Sequence, residues 1–500
     1  MSINRKIAKA SIVVGFFTAI VKFAAMGKEI AVAHWFGRGD ALDAFLIAIL
    51  IPSFFVNVVG GSFNAALIPT YVQVRSKDGK EAAQKLFSSV MTFSISLLFL
   101  LCLVLAIAAP FYLPFMASGY SNEKRQLTLH LAYLLLPILL ISGLVTIWSS
   151  ILNAGERFAL PAWSPVFIPL SAVIFLFSFG IKSGIYALAI GTIVGMAINA
   201  VFLAVGLSRQ GIHLKFGWEV NPAIKQVMAQ YAPMVAGAFL MSGTVLVDQA
   251  MAAMLPSGSV AALGYGYKVI ALFTGLVTLA LSTAILPYFS RQVAIDDRSG
   301  IQNTFNTFFV LCLWISVPAM SFIYVFSTPI VRIIFQRGAF TAADTQIVSQ
   351  VQVFYSFMLP SYIVGILGVR LISAKLGNKI LMYGAVINLV TNVVFNNVFM
   401  NIYGVAGIAL STSVVYLIST AYIMSFVIFK YGISLSYETV INGIILGGAV
   451  VVIYCLRCLH FPKGLNLFFF LFVYGILWLL SSRLLGWKLS GIKEIFYDRG

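Results

Sequence analysis

Residues 90–109 read VMTFSISLLFLLCLVLAIAA. The run passes without one charged side chain, and about 20 apolar residues are what an α-helix needs to cross a hydrocarbon core about 30 Å thick. It is continuous rather than alternating, unlike the segments of about ten alternating residues that build a membrane barrel. With no water to satisfy backbone N–H and C=O groups, a helix is the remaining way to span. The run therefore decides the fold class: an all-α polytopic membrane protein.

Similar runs recur along the whole 500-residue chain, which is 61% hydrophobic and 9% charged, against about 25% charged in a soluble domain. They place about fourteen transmembrane helices, near 10–34, 41–72, 83–112, 126–152, 160–180, 184–207, 222–253, 260–290, 301–327, 345–374, 379–400, 403–429, 437–459 and 464–486. Several are longer than a straight crossing needs and imply tilt or bending. The first run is too long for the core of a cleavable signal and carries Lys22, Lys28 and Glu29, so it is a retained first helix.

The net charge of +17 could in a soluble protein point to nucleic acid. Here its distribution points to a membrane orientation instead. With the N-terminus inside, 21 of the 32 basic residues fall in inside loops and 8 outside. This bias predicts both termini in the cytoplasm, and hence an even number of spans in a bacterial inner membrane. Cys102, Cys312, Cys455 and Cys458 all lie in or beside apolar runs, which argues against a disulfide framework. The C-x-x-C of Cys455 and Cys458 has no second ligand pair, so no metal or redox role is assigned to it.

A faint internal repeat accompanies the spans. Ala66-Leu67-Ile68-Pro69 closes the second span and Ala284-Ile285-Leu286-Pro287 closes the eighth; Gly119 before the fourth span resembles Gly338 before the tenth. The expected organisation is an N-terminal six-helix lobe over 1–210, a second over 211–432, and two added helices with a cytoplasmic tail over 433–500. Six is even, so both copies keep one orientation, a parallel repeat found in one class of transporters.

Charges inside such a protein are costly, about 2.5–3.5 kcal/mol each at a helix centre on insertion scales, and mark function or a partner. Lys22, Lys28 and Glu29 lie in the first span, Asp43 begins the second, and Lys268 lies in the eighth. Cations facing a cavity between the lobes would suit an anionic substrate such as a pyrophosphate. The plainer alternative is that Lys28 and Glu29 snorkel to the outer surface. In the second lobe Asp248 is the one acid well inside. Asn388, Asn392 and Asn396 recur every fourth residue on one stripe, with Thr412 on the next helix. Such oxygens could hold a hard monovalent cation or could simply bond neighbouring helices. No catalytic group set and no Walker loop appear, which favours a transporter over an enzyme.

Several segments resemble the lipid II flippases (the MurJ, or MviN, family) of the multidrug/oligosaccharidyl-lipid/polysaccharide exporter superfamily. They are Ala31–Phe45 (AVAHWFGRGDALDAF), Gly61–Tyr71 (GSFNAALIPTY), Ile151–Pro165, Ser257–Pro287 and Ile334–Thr345 (IFQRGAFTAADT), the last being the most specific. The resemblance implies two lobes in a V, alternating access, and a cationic cavity for a lipid-linked pyrophosphate. It implies that Lys22, Lys28, Glu29, Asp43 and Lys268 bind substrate, and that Asp248, Asn392, Asn396 and Thr412 form a sodium site. Sodium or the membrane potential would drive transport, with no other cofactor, and the protein would act as a monomer.

The chain departs from the family pattern in particulars. Three family arginines are lysines here, Val56 and Asn57 replace a basic pair, and Asn396 replaces a carboxylate. Lysine keeps the charge but loses bidentate phosphate geometry, so a flippase for another undecaprenyl-linked saccharide is the nearest alternative. A drug or organic-cation antiporter should carry acids rather than lysines in its cavity. A membrane scaffold would have no need of intramembrane charges. A lipid-modifying enzyme would need catalytic groups that are missing.

Overall fold

The computed structural model describes residues 3–214, 217, 222–458 and 472–476, and among them there is no strand. The helices run α1 Ile3–Phe36, α2 Asp40–Phe55, α3 Gly61–Lys77, α4 Gly79–Met116, α5 Asn122–Leu135, α6 Pro137–Ala154, α7 Ala159–Trp163, α8 Phe167–Ser183 and α9 Ile185–Ser208. They continue as α10 Pro222–Ala252, α11 Ser259–Ala294, α12 Arg298–Phe335, α13 Ala342–Ser356, α14 Met358–Ala374, α15 Asn378–Tyr403, α16 Val405–Ser425 and α17 Tyr437–Cys458. Among the described residues, 11 helical segments are long and apolar enough to cross a membrane. The charged α1 and the long α10 come in addition. Most of the expected span 464–486 lies outside the described residues, as do the side chains of Cys455 and Cys458.

Several spans are built from two pieces, and local chemistry says where they break. α2 and α3 are joined by a π-helical turn, Val56–Gly60. The turn follows Pro52, which has no N–H to give the helix ladder, and wide turns of this kind release the strain. A Cβ on Gly60 would sit 3.2 Å from Thr146 Oγ1 on α6, so the turn is also a packing point. The expected fourth span divides at Leu136, where Pro137 opens α6 at a position that tolerates its missing donor. The tenth divides at Phe357, between α13 and α14.

Helix pairs pack through small residues, as expected where lipid offers no hydrophobic drive between helices. α8 and α9 approach so closely that a Cβ on Gly195 would stand 2.7 Å from both Ile168 Cα and the Phe167 carbonyl. α15 and α16 meet likewise where Gly407 faces the Phe399 carbonyl.

By packing, the chain forms two compact units: residues 1–265 with 334–347, and 266–333 with 348–500. The first unit has a core that includes Leu67, Leu86, Phe87, Leu139, Ile151 and Leu203, all 0% exposed. The second is built around Ile285, Phe289, Phe305, Leu367 and Val427, also 0% exposed, with α17 laid on α12 through Val317, Leu446 and Ile453. α10 falls in the first unit, where it packs against α3, α4 and α2.

Replacing Gly195 by Val should prise α8 from α9 and cost about 1–3 kcal/mol through overpacking, read as a lower thermal midpoint in detergent. Gly447→Ala, whose added Cβ would meet nothing within 4 Å, should not lower the midpoint, since alanine favours the helix over glycine.

Candidate functional site

α1 runs unbroken through Lys22, Lys28 and Glu29 on residues that favour helix, Ala, Met, Lys and Glu among them. Lys28 Nζ lies 2.9 Å from Glu29 Oε1, with side chains 25% and 13% exposed, so the two form a partly buried ion pair. Lys22, six residues earlier and roughly 120° around the helix, is exposed. Lys268 is partly buried on α11 within the second unit. Asp248 is buried on α10 within the first.

Asp43 belongs to a different grouping, a cluster of loops at one end of the first unit. Its carboxylate is 1% exposed. Oδ2 accepts from Gly258 N at 2.7 Å and Oδ1 from Ala261 N at 2.8 Å, so Asp43 caps the start of α11 from across the unit. Lys124 Nζ donates to Asp43 Oδ2 at 2.8 Å and to Asp40 Oδ1 at 2.5 Å. Ser257 Oγ also donates to Asp40 Oδ1. One ammonium thus serves two carboxylates, and the positive end of α11 supplies the remaining charge. The ring of Tyr120 covers Lys124 Nζ at 4.0 Å from its centroid. Burial, reinforced by the negative charges of Asp43 and Asp40, pushes the Tyr120 phenol well above its ordinary range, so it stays neutral.

The Arg337–Thr341 motif, R-G-A-F-T, sits in the same cluster. Thr341 and Asp344 form a capping box that opens α13: Thr341 N donates to Asp344 Oδ2 at 2.8 Å and Asp344 N to Thr341 Oγ1 at 3.3 Å. Asp344 Oδ1 accepts from Arg38 Nε at 3.1 Å. Ala339 N donates to the His34 carbonyl at 2.9 Å, and Tyr265 OH to the Gly37 carbonyl at 3.1 Å. The approach is backbone to backbone. A Cβ on Gly258 would strike the Arg38 carbonyl, and one on Gly37 would strike Ala339; both glycines have positive φ, 82° and 52°.

In the second unit Asn392 and Asn396 are 0% exposed. Asn396 Nδ2 donates to Asn392 Oδ1 at 3.4 Å, and Ser411 Oγ to the Asn392 carbonyl at 3.5 Å. Thr412 Oγ1 donates to the Ile408 carbonyl at 3.1 Å. Asn388 Nδ2 donates to Ser419 Oγ at 3.1 Å, while its buried Oδ1 has no hydrogen-bond partner among the described residues. No group of three His, Cys, Asp or Glu side chains gathers there or elsewhere among the described residues. The donors are oxygens, suited to a hard monovalent ion rather than to a transition metal.

Of the residues singled out from sequence, the structure joins Lys28 to Glu29 and Asn392 to Asn396, and it places Asp43 in the loop cluster. Sequence reasoning missed Lys124, Asp40 and the Arg38–Asp344 pair, of which Lys124 and Arg38 had counted only as outside-loop charges. A signal was present: Lys124 stands in the first turn of α5, just after the Ser121 cap. A cation there opposes the helix dipole and so calls for an acidic partner.

Lys124→Met should leave Asp43 buried without its counter-ion, a loss of about 3–5 kcal/mol. With the four native cysteines replaced, Ser259→Cys, buried in the cluster, should then react faster with a maleimide. Adding Asp43→Asn should restore part of the loss, because the two changes share one interaction. Labelling unchanged by Lys124→Met would mean that the ion pair does not hold the cluster shut.

Residues 32–477 match the family model described as lipid II flippase MurJ, a match that begins just after Glu29. The probable lipid II flippase MurJ of Buchnera aphidicola subsp. Acyrthosiphon pisum is 25% identical over 504 residues, covering 96% of this chain and 98% of its own. That of Vibrio cholerae is 24% identical over 428 residues, covering 83% and 81%. A solved structure of lipid II flippase MurJ in an inward closed conformation superposes with a TM-score of 0.80 at 24% identity, covering 95% of this chain and 99% of that one. An inward-facing multidrug MATE transporter of the MOP superfamily gives 0.68 at 13% identity, covering 85% and 98%. These two likenesses are likenesses of fold, while the family model spans the loop cluster and the buried asparagines as well. The chain belongs to the lipid II flippase MurJ family.

Proposed function

We propose that this chain is a transporter that carries lipid II, the undecaprenyl-pyrophosphate-linked peptidoglycan precursor, from the cytoplasmic to the periplasmic leaflet of the inner membrane. The observation that carries the reading is the family match across residues 32–477. Both termini lie in the cytoplasm on this reading, as the loop charges favour, and the loop cluster is periplasmic.

Lys22, Lys28 and Lys268 bind the pyrophosphate. Glu29 pairs with Lys28 at 2.9 Å, so a phosphate that claims Lys28 exchanges one anion for another at little net cost in charge. Alternating access needs one end of the protein shut while the other admits substrate. The loop cluster supplies the shut end, and Asp43 acts through it by capping α11. Its hydrogen bonds, ion pairs and backbone contacts, beside the ring contact of Tyr265 and Phe340, can break and re-form. For the driving ion, Asn392, Asn396 and Thr412 offer oxygens that suit sodium, and Asp248 joins them on the strength of the resemblance alone.

The lysines in place of arginines favour one second reading, a flippase for a different undecaprenyl-linked saccharide. The discriminating experiment is complementation of a bacterium depleted of its own lipid II flippase. Wild type should restore growth and prevent lysis, and Lys28→Ala at equal membrane abundance should not. Failure of a well-inserted wild type to rescue would favour the other saccharide. Rescue by both Lys28→Ala and Lys268→Ala would overturn the cationic binding of the pyrophosphate.

A further inference from the structure

The chain leaving α9 and the chain leaving α16 carry the same short pattern. Arg209-Gln210-Gly211-Ile212-His213-Leu214 corresponds to Lys430-Tyr431-Gly432-Ile433-Ser434-Leu435. Each glycine turns the chain at positive φ, 73° and 67°. Each isoleucine then drops into the core of its own unit, 8% and 5% exposed. Ile212 N donates back to the Leu207 carbonyl and Ile433 N to the Val427 carbonyl, both at 3.2 Å.

The residue after each isoleucine is held by a glutamine from the third span of the same repeat. Gln84 on α4 donates through Nε2 to the His213 carbonyl at 2.6 Å and accepts from His213 N through Oε1 at 3.1 Å. Gln302 on α12 donates to the Ser434 carbonyl and accepts from Ser434 N at 3.0 Å. Gln84 and Gln302 stand at the same offset in the chain as Pro69 and Pro287, so the repeat relates them. A carboxamide carries donor and acceptor side by side and so pairs with one residue's backbone as a neighbouring strand would. Glutamate lacks the donor, and lysine and arginine lack the acceptor. Further along the same helices Thr92 Oγ1 accepts from Gly217 N at 3.1 Å, and Asn306 Oδ1 accepts from Ser436 N at 2.8 Å.

The glutamine bonds are exposed, where a hydrogen bond adds little net stability. What they fix is position. The first clip holds the chain at His213, on the way into α10, a helix of 31 residues and so about 46 Å long. At its other end α10 runs into the loop cluster, where a Cβ on Gly119 would lie 2.9 Å from Met254 Cα and Ser257 and Gly258 bond Asp40 and Asp43. α10 therefore spans most of the distance along the chain from the clip to the cluster.

We propose that Gln84 is a positioning residue that acts through α10: by holding the chain at His213 that leads into that helix it keeps the loop cluster closed, and Gln302 is its structural counterpart in the second repeat, acting on the loop before α17. The inference goes beyond lipid II transport, and its test needs no substrate, so its failure and the failure of the transport reading are distinguishable.

The test is hydrogen exchange of the full chain in lipid nanodiscs, together with maleimide labelling of Ser259→Cys in the cysteine-replaced background. Gln84→Ala should speed exchange of the His213 and Gly217 amides roughly tenfold, as loss of a hydrogen-bonded clip predicts, and should raise the Cys labelling rate severalfold. Gln302→Ala should speed exchange of Ser434 and Ser436 and leave the labelling rate unchanged. Exchange unaltered in Gln84→Ala would overturn the clip. Faster exchange with unaltered labelling would overturn its coupling to the loop cluster, as would equal labelling effects from both variants.

Discussion

Everything in this fold follows from the absence of water in the hydrocarbon layer. A backbone that cannot bond to solvent must bond to itself, and along one chain only a helix does so at every residue. Departures from the helix are therefore few and local. Where Pro52 removes a donor, a π-helical turn follows within the same span. Where α5 gives way to α6, proline takes the one helical position at which its missing N–H is harmless. Even the loops conform, their backbone groups capped by Asp43, Asp344, Gln84 and Gln302.

The same constraint sorts the charges. A carboxylate such as Asp43 cannot be buried beside lipid unless its charge is answered, and here an ammonium and two backbone amides answer it. That arrangement also selects the neighbouring glycines, because only a residue without Cβ lets one loop's backbone reach another's carbonyl. Charge and close approach thus support each other in the loop cluster. Lys28 and Glu29, by contrast, neutralise each other on a single helix.

Much of the architecture was legible in the residues. The run at 90–109 became the middle of α4. The matching prolines announced a repeat that the structure extends to Gln84 and Gln302. What was not legible was contact between segments distant in sequence. Lys124 and Arg38 looked like ordinary loop charges because their partners lie 81 and 306 residues away. Helix α10 opens the second lobe by the repeat, and its packing against α2, α3 and α4 could not be read from the sequence.

The sequence by itself determined that the chain crosses a membrane many times as helices, because hydropathy and backbone satisfaction are properties of each segment alone. It also marked out Lys22, Lys28, Glu29, Asp43, Lys268 and the asparagine stripe, since polar groups in apolar runs are costly wherever they occur. Only the tertiary structure decided what those groups touch. It turned Asp43 into the cap of α11, gave Lys124 two carboxylates to hold, and set a glutamine against the chain that leaves each sixth span. The physical reason is that hydropathy is additive along the chain, whereas a hydrogen bond or an ion pair depends on two groups meeting within about 3 Å.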